Sequence, residues 1–174
     1  IKYQLTIARL PLAKEIAEFD FRNTPINENL VRELTTGAFL DQQRNLVLVG
    51  GTGTGKSHLC VAIARACIRA GRRGRFYNAQ ALLDELYASL ADRTTTRLLT
   101  ALSRTQPLCI DELGYLNLKP EQVNAFFRLM DQRYGRVSTI ITTNLEYSAW
   151  YGLFGNKPLV DALLDRLQHH CITI

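Results

Sequence analysis

Gly50-Gly51-Thr52-Gly53-Thr54-Gly55-Lys56-Ser57 has the form G-x-x-x-x-G-K-[ST], a phosphate-binding loop with every fixed position filled. Each residue type in it has a separate task. The glycines let the backbone turn tightly enough for its N–H groups to converge on an anion. Lys56 carries a charge to the outer phosphates, and Ser57 offers a hydroxyl to Mg²⁺. Before the loop, Leu46-Val47-Leu48-Val49 is a short apolar run, as a parallel strand covered on both faces should be. After it, His58 to Arg65 continues with helical periodicity. A helix starting here aims its positive end and free N–H groups at the same anion. Strand, loop and helix in this order imply an α/β domain.

The rest of the chain alternates in the same way. Strands are expected at Arg75 to Asn78, Leu108 to Asp111, Val137 to Thr142 and Cys171 to Ile174. Helices are expected over Ala81 to Ala91, Arg97 to Arg104, Pro120 to Tyr134 with Gly135 as the stop, and Ala162 to His169. Such alternation predicts a parallel five-stranded sheet with right-handed crossovers, flanked by helices. The first forty residues read as helical: Leu12 to Phe19, a break at Pro25, then a helix capped by Asn27 that ends at Gly37. The chain therefore divides into a helical N-terminal segment, 1–40, and a nucleotide-binding core, 41–174.

With 174 residues and 47% hydrophobic content, the chain suits one domain with an ordinary core. No apolar run is long enough for a membrane span, and no signal-peptide pattern opens the sequence. Cys60, Cys67, Cys109 and Cys171 have no metal or disulfide spacing, so buried reduced thiols and a cytoplasmic setting are expected. His169-His170 lacks companion ligands. The net charge is +5, with sixteen arginines against five lysines. Arginine grips phosphates in a planar, two-pronged way, so this bias suits nucleic-acid contact and equally suits a basic soluble surface. The chain opens on Ile1 rather than Met and closes in an apolar run, which suggests a piece of a longer protein.

Further chemistry lies at the ends of the later strands. Asp111 is placed to hold Mg²⁺, and Glu112 is the candidate base for the attacking water. Ligands in open α/β sheets bind beyond the carboxyl ends of strands. Asn144, after the fourth strand, there either touches the γ-phosphate and its water or caps the turn before Leu145-Glu146. Arg166, alone in the apolar helix stretch Leu163-Leu164-Asp165-Arg166-Leu167, is either a finger reaching a neighbour's γ-phosphate or the partner of Asp165 or Asp161. Asn156-Lys157-Pro158-Leu159 starts like a guanine-reading segment but has Leu159 in place of the acid. ATP is therefore favoured over GTP.

These segments together resemble the AAA+ ATPases, and more narrowly the IstB-type transposition helpers and their relatives the DnaC/DnaI helicase loaders. Carrying the resemblance are Phe19-Asp20-Phe21, the Gly50 to Ser57 octet with His58, Ile110-Asp111-Glu112-Leu113-Gly114-Tyr115-Leu116, Thr143-Asn144-Leu145 and Leu163 to His170. The resemblance implies an ATPase core over 41–174 using ATP and Mg²⁺, with Gly50, Gly51, Thr52, Gly53, Thr54, Gly55, Lys56, Ser57 and His58 as the phosphate cradle. It implies Ser57 and Asp111 as metal ligands, and Lys56, Glu112, Asn144 and Arg166 as the hydrolytic set. Asn144 would be sensor 1, and Arg166 a finger acting across a head-to-tail subunit contact. Phe19 to Phe21 would lie near the adenine. Gly51 and Thr52 stand where the family often has prolines. A second sensor arginine would lie beyond Ile174.

The implied function is an ATP-hydrolysing helper of DNA transposition, assembling on duplex DNA and regulating a transposase. A replicative helicase loader is the alternative. Loaders and initiators touch DNA through an extra helix after the second strand. Here Arg93 and Arg97, four apart with Arg104 beyond, read over Leu82 to Arg104 either as one basic helical face for DNA or as a solvated arginine face. Arg72, Arg73 and Arg75 form a second candidate patch for DNA, with Arg72 and Arg73 as its named contacts.

Overall fold

The structure is a computed structural model that describes the chain except residues 1, 12–15, 23, 115, 170 and 174, and except the side chains of 2, 169 and 171–173. Four strands form the body of one parallel sheet: β1 (Asn45–Val49), β2 (Arg75–Asn78), β3 (Leu108–Asp111) and β4 (Thr139–Thr143). A short β5 (Cys171–Thr173) pairs with β1 at the edge, giving the order β2-β3-β4-β1-β5. Alternation along each strand divides the core into two clusters. Leu46, Leu48, Cys109 and Ile140 face one cluster, while Val47, Leu108, Ile110 and Ile141 face the other. Burial on both faces explains why these strands read as continuous apolar runs.

The first cluster is closed by α2 (Glu28–Leu34), α3 (Ala38–Asp41) and α4 (Lys56–Arg69). Asn27 caps α2, its side chain accepting from the Leu30 N–H at 3.1 Å, as expected. Val31, Leu34, Phe39 and Leu40 share this cluster with β1 and α4, so residues before 41 complete the core. A seven-residue α1 (Lys2–Ala8) precedes them. The expected helix from Leu12 falls partly outside the described residues, and Ile16–Glu18 is a 3-10 turn.

The other cluster is closed by α5 (Ala79–Ala91), α6 (Thr95–Ser103), α7 (Pro120–Arg133), α8 (Trp150–Phe154) and α9 (Lys157–His169). Some elements here depart from the sequence reading. Helix α5 starts at Ala79 because the Asn78 side chain accepts from the Gln80 N–H and caps it. Helix α9 starts at Lys157, five residues before the expected Ala162, with the Asn156 side chain accepting from the Leu159 N–H. Helix α8 was not expected; Trp150 and Phe154, four apart, bury one face of it.

The basic face read through Arg93 and Arg97 does not form. Arg93 lies in the turn between α5 and α6 with a left-handed backbone, φ 56°, so no helix carries it together with Arg97. Both are exposed, as is Arg73, while Arg72 is tied to Asp41 by an ion pair. Cys60, Cys67 and Cys109 are buried free thiols. No helix among the described residues is long and apolar enough to cross a membrane.

Candidate functional site

Strand order decides which residues meet. Strand β4 lies between β1 and β3, with Val49 in register with Thr143 and Ile110 with Ile141. The loop after β1, the acids after β3 and Asn144 after β4 therefore emerge side by side at the carboxyl edge. They enclose a cavity of about 600 Å³ lined by Thr52 to His58, Glu112, Gly114, Leu116, Thr142, Thr143 and Asn144.

The loop runs directly into the first turn of α4. Gly55, at φ 88°, is the residue before the helix. A Cβ there would stand 2.6 Å from a ring carbon of Phe19, so both the backbone angle and the overlying ring demand glycine. Phe19 also meets Phe21 and His58 edge-on, at 4.6 and 5.3 Å between ring centroids. Lys56 Nζ donates to the Gly51 carbonyl at 2.5 Å and to Thr54 Oγ1 at 3.4 Å, so it lies along its own loop.

Beneath the loop, Ser57 Oγ donates to the Asp111 carboxylate at 2.9 and 3.0 Å. Asp111 is buried and also accepts from the Thr142 hydroxyl. A hydroxyl beside a carboxylate at the head of a phosphate loop is a hard oxygen pair that fits Mg²⁺, and these two residues would hold it. Bound there, the ion would neutralise phosphate charge.

Glu112 is exposed and has a left-handed backbone, φ 60°. For a residue with a Cβ this costs on the order of 1 kcal/mol. Its N–H donates to Thr142 Oγ1 at 2.9 Å, and its carboxylate accepts from Asn78 Nδ2 at 3.0 Å. The Glu112 side chain is thus directed to Asn78. Asn78 and Thr142 escaped the sequence reading. Register brings them in, since Asn78 pairs with Asp111 and Thr142 with Leu48. The readable signal was a polar residue at the end of each apolar strand.

Asn144 lies on the rim, and a Cβ on Gly114 would stand 2.5 Å from its Oδ1. The turn after β4 is closed by Thr143, whose hydroxyl accepts from the Leu145 N–H at 3.0 Å. Capping is thus supplied by Thr143. A separate cavity of about 670 Å³ adjoins the loop, walled by Pro25, Ile26, Leu30, Leu48 and Leu59 and bounded by Gly50 and Lys56. Neither Phe19 nor Phe21 lines it.

Arg166 is elsewhere. It lines a cavity of about 370 Å³ at the opposite edge of the sheet, where Asn45 and Thr139 begin β1 and β4. Its partner is Asp131 of α7, not Asp165 or Asp161. Asp161 is engaged by Lys157 and Tyr151. Arg133 forms part of the same cavity and is almost wholly buried. It donates to the carbonyls of Leu102, Thr105 and Ser138 and to Thr139 Oγ1. Burial pushes its guanidinium down to about 9, which leaves it charged at neutral pH.

A protein-family model described as IstB-like ATP binding protein matches residues 1–174. The chain is 38% identical over 172 residues to an insertion sequence IS21 protein of Pseudomonas aeruginosa named for ATP binding, covering 98% of this chain and 65% of that protein. A counterpart from insertion sequence IS232 of Bacillus thuringiensis subsp. berliner is 34% identical over 175 residues, covering 100% and 70%. The chain spans about two thirds of the length of these relatives. Among solved structures it resembles DnaI, with TM-score 0.77 at 18% identity over 98% of this chain and 92% of that one. It also resembles the DnaC helicase loader, with TM-score 0.76 at 23% identity over 99% and 98%. The likeness to these two is one of fold, that of P-loop AAA+ domains. The match along the whole chain and the identity to insertion-sequence proteins make it a member of the IstB-like ATP-binding protein family.

Proposed function

We propose that this chain is the core of a Mg²⁺-dependent ATPase that assembles head to tail on duplex DNA and regulates the transposase of an insertion sequence. The observation that carries the ATPase reading is the Ser57–Asp111 pair beneath the loop, with Glu112 and Asn144 on the rim of the same cavity. Loop N–H groups and Lys56 hold the phosphates, so Lys56 must leave the Gly51 carbonyl when nucleotide arrives. Glu112 takes the proton of the attacking water, and Asn144 orients that water against the γ-phosphate. Thr142 holds the Asp111 carboxylate and the Glu112 backbone N–H, and Asn78 holds the Glu112 carboxylate.

Arg166 supplies positive charge to a γ-phosphate held by a neighbouring copy. Its place at the far edge of the sheet supports action in trans, because its own loop lies at the other end of the strands. A contact that joins two different faces propagates into a ring or a filament. The transposase and DNA parts of the proposal draw on the insertion-sequence relatives. Exposed Arg73, Arg93 and Arg97 are the proposed phosphate contacts on DNA, with Arg72 available once it leaves Asp41.

The fold shared with the DnaC loader over nearly its whole length favours a second reading, helicase loading on single strands. Electron microscopy of the complete protein with ATP separates the two. Regular assemblies on duplex DNA are expected. Assembly confined to single-stranded DNA would overturn the helper reading in favour of the loader.

A further inference from the structure

Arg166 is held by α7. Its guanidinium pairs with the Asp131 carboxylate and lies over the Tyr134 ring, 5.5 Å from the centroid. Asp131 belongs to the last turn of α7 and Tyr134 follows its end. Between them in sequence, Arg133 ties that end of the helix to the Leu102, Thr105 and Ser138 carbonyls and to Thr139. Asp131 and Tyr134 therefore stand on an anchored platform, while Arg166 comes from α9. The arginine side chain still keeps 45% of its exposure and Asp131 keeps 62%. A contact that sequestered the guanidinium would bury it. Here one N–H edge and one ring face are engaged, and a guanidinium has five donors.

We infer that Asp131 and Tyr134 are positioning residues that orient Arg166 toward the γ-phosphate of a second copy of this chain. This rests on the reading of Arg166 as a finger acting in trans. A long side chain loses rotamer freedom when it docks, and part of that loss has already been taken in the isolated subunit. The carboxylate fixes direction. The ring limits the swing of the guanidinium plane. Asp131 itself touches no nucleotide, so its removal should lower turnover without changing the ATP complex.

The test is steady-state ATPase of the complete protein with duplex DNA, at protein concentrations that saturate assembly. Asp131→Asn should lower kcat about three- to fivefold and leave KM for ATP within about twofold. Asp131→Glu should recover part of the rate. Tyr134→Ala should show a smaller loss of the same kind, restored by Tyr134→Phe. In an Arg166→Ala background, Asp131→Asn should cost nothing more. A rate at or above wild type for Asp131→Asn, or the same loss in the Arg166→Ala background, overturns the inference. If Arg166→Ala itself runs at the wild-type rate, the finger reading falls and takes the inference with it. A normal Arg166→Ala loss beside an undisturbed Asp131→Asn overturns the inference alone.

Discussion

The carboxyl edge of the sheet keeps its loop, Glu112 and Asn144 exposed, whereas the amino edge buries Asn45, Thr139 and Arg133. At the carboxyl edge Gly51 to Thr54, Glu112 and Asn144 are exposed, and Glu112 holds a strained backbone angle. At the amino edge Asn45 accepts from the Thr139 N–H at 2.9 Å, and Arg133 is spent on four neutral oxygens. Arg133 and Arg166, both in that second region, differ in the same sense. Arg133 is 1% exposed and structural; Arg166 is 45% exposed by side chain and bound only at its margin. Charge that is buried and satisfied builds the fold, and charge left half-engaged is available to a ligand.

Lys56→Ala should break the comparison most severely. The carboxyl edge would keep its shape and lose ATP binding altogether, as read by calorimetry; unchanged affinity would remove the loop from the account. Next come the two arginines. Arg166→Ala should cut hydrolysis by about 10³-fold, while its loss of one exposed ion pair shifts stability by less than about 1 kcal/mol. Arg133→Leu should do the reverse, destabilising the fold by roughly 2–4 kcal/mol in urea titration because buried carbonyls lose their donor. Equal effects of the two variants on stability would dissolve the contrast.

The smallest effect concerns the layer just under the loop. Cys60 lies one turn beyond Ser57 and is fully buried, with Cys109 beside it and burial together raising its thiol. Burial pushes the Cys67 thiol up to about 12. In the native protein at pH 8 these thiols should stay protonated and unreactive toward a disulfide reagent, and all should react in denaturant. Folded values raised above the ordinary thiol range stabilise the fold below about pH 9. That contribution is lost as pH rises toward 12, because the unfolded chain releases its protons first. Rapid native labelling would show that the open polarity of the carboxyl edge reaches deeper than the burial suggests.

What could be read in the sequence was what is contiguous. The octet from Gly50 to Ser57 and the pair Asp111-Glu112 each sit where an apolar run stops, so strand, loop and chemistry arrive together. Asn78 and Thr142 also sit at strand ends, but their link to Glu112 is not contiguous. They reach Glu112 across 34 and 30 residues, and only the sheet register brings them near. Arg166 was legible as the one arginine of an apolar helix stretch, but its partner Asp131 lies on another helix. Local periodicity also misled. Arg93 and Arg97 have helical spacing, yet Arg93 lies in the turn before the helix that carries Arg97. Asn156 read as a failed guanine motif, when its side chain bonds the first turn of α9.

The central claim is that one ATP site needs both regions, taken from two copies of the chain. Mixing two inactive variants tests it most directly, with Glu112→Gln supplying Arg166 and Arg166→Ala supplying Glu112. Equal amounts, assembled with ATP and duplex DNA, should recover about a quarter of the wild-type ATPase rate, because one contact in four then joins an intact base to an intact arginine across a head-to-tail interface. A mixture no more active than either variant alone would contradict the composite site.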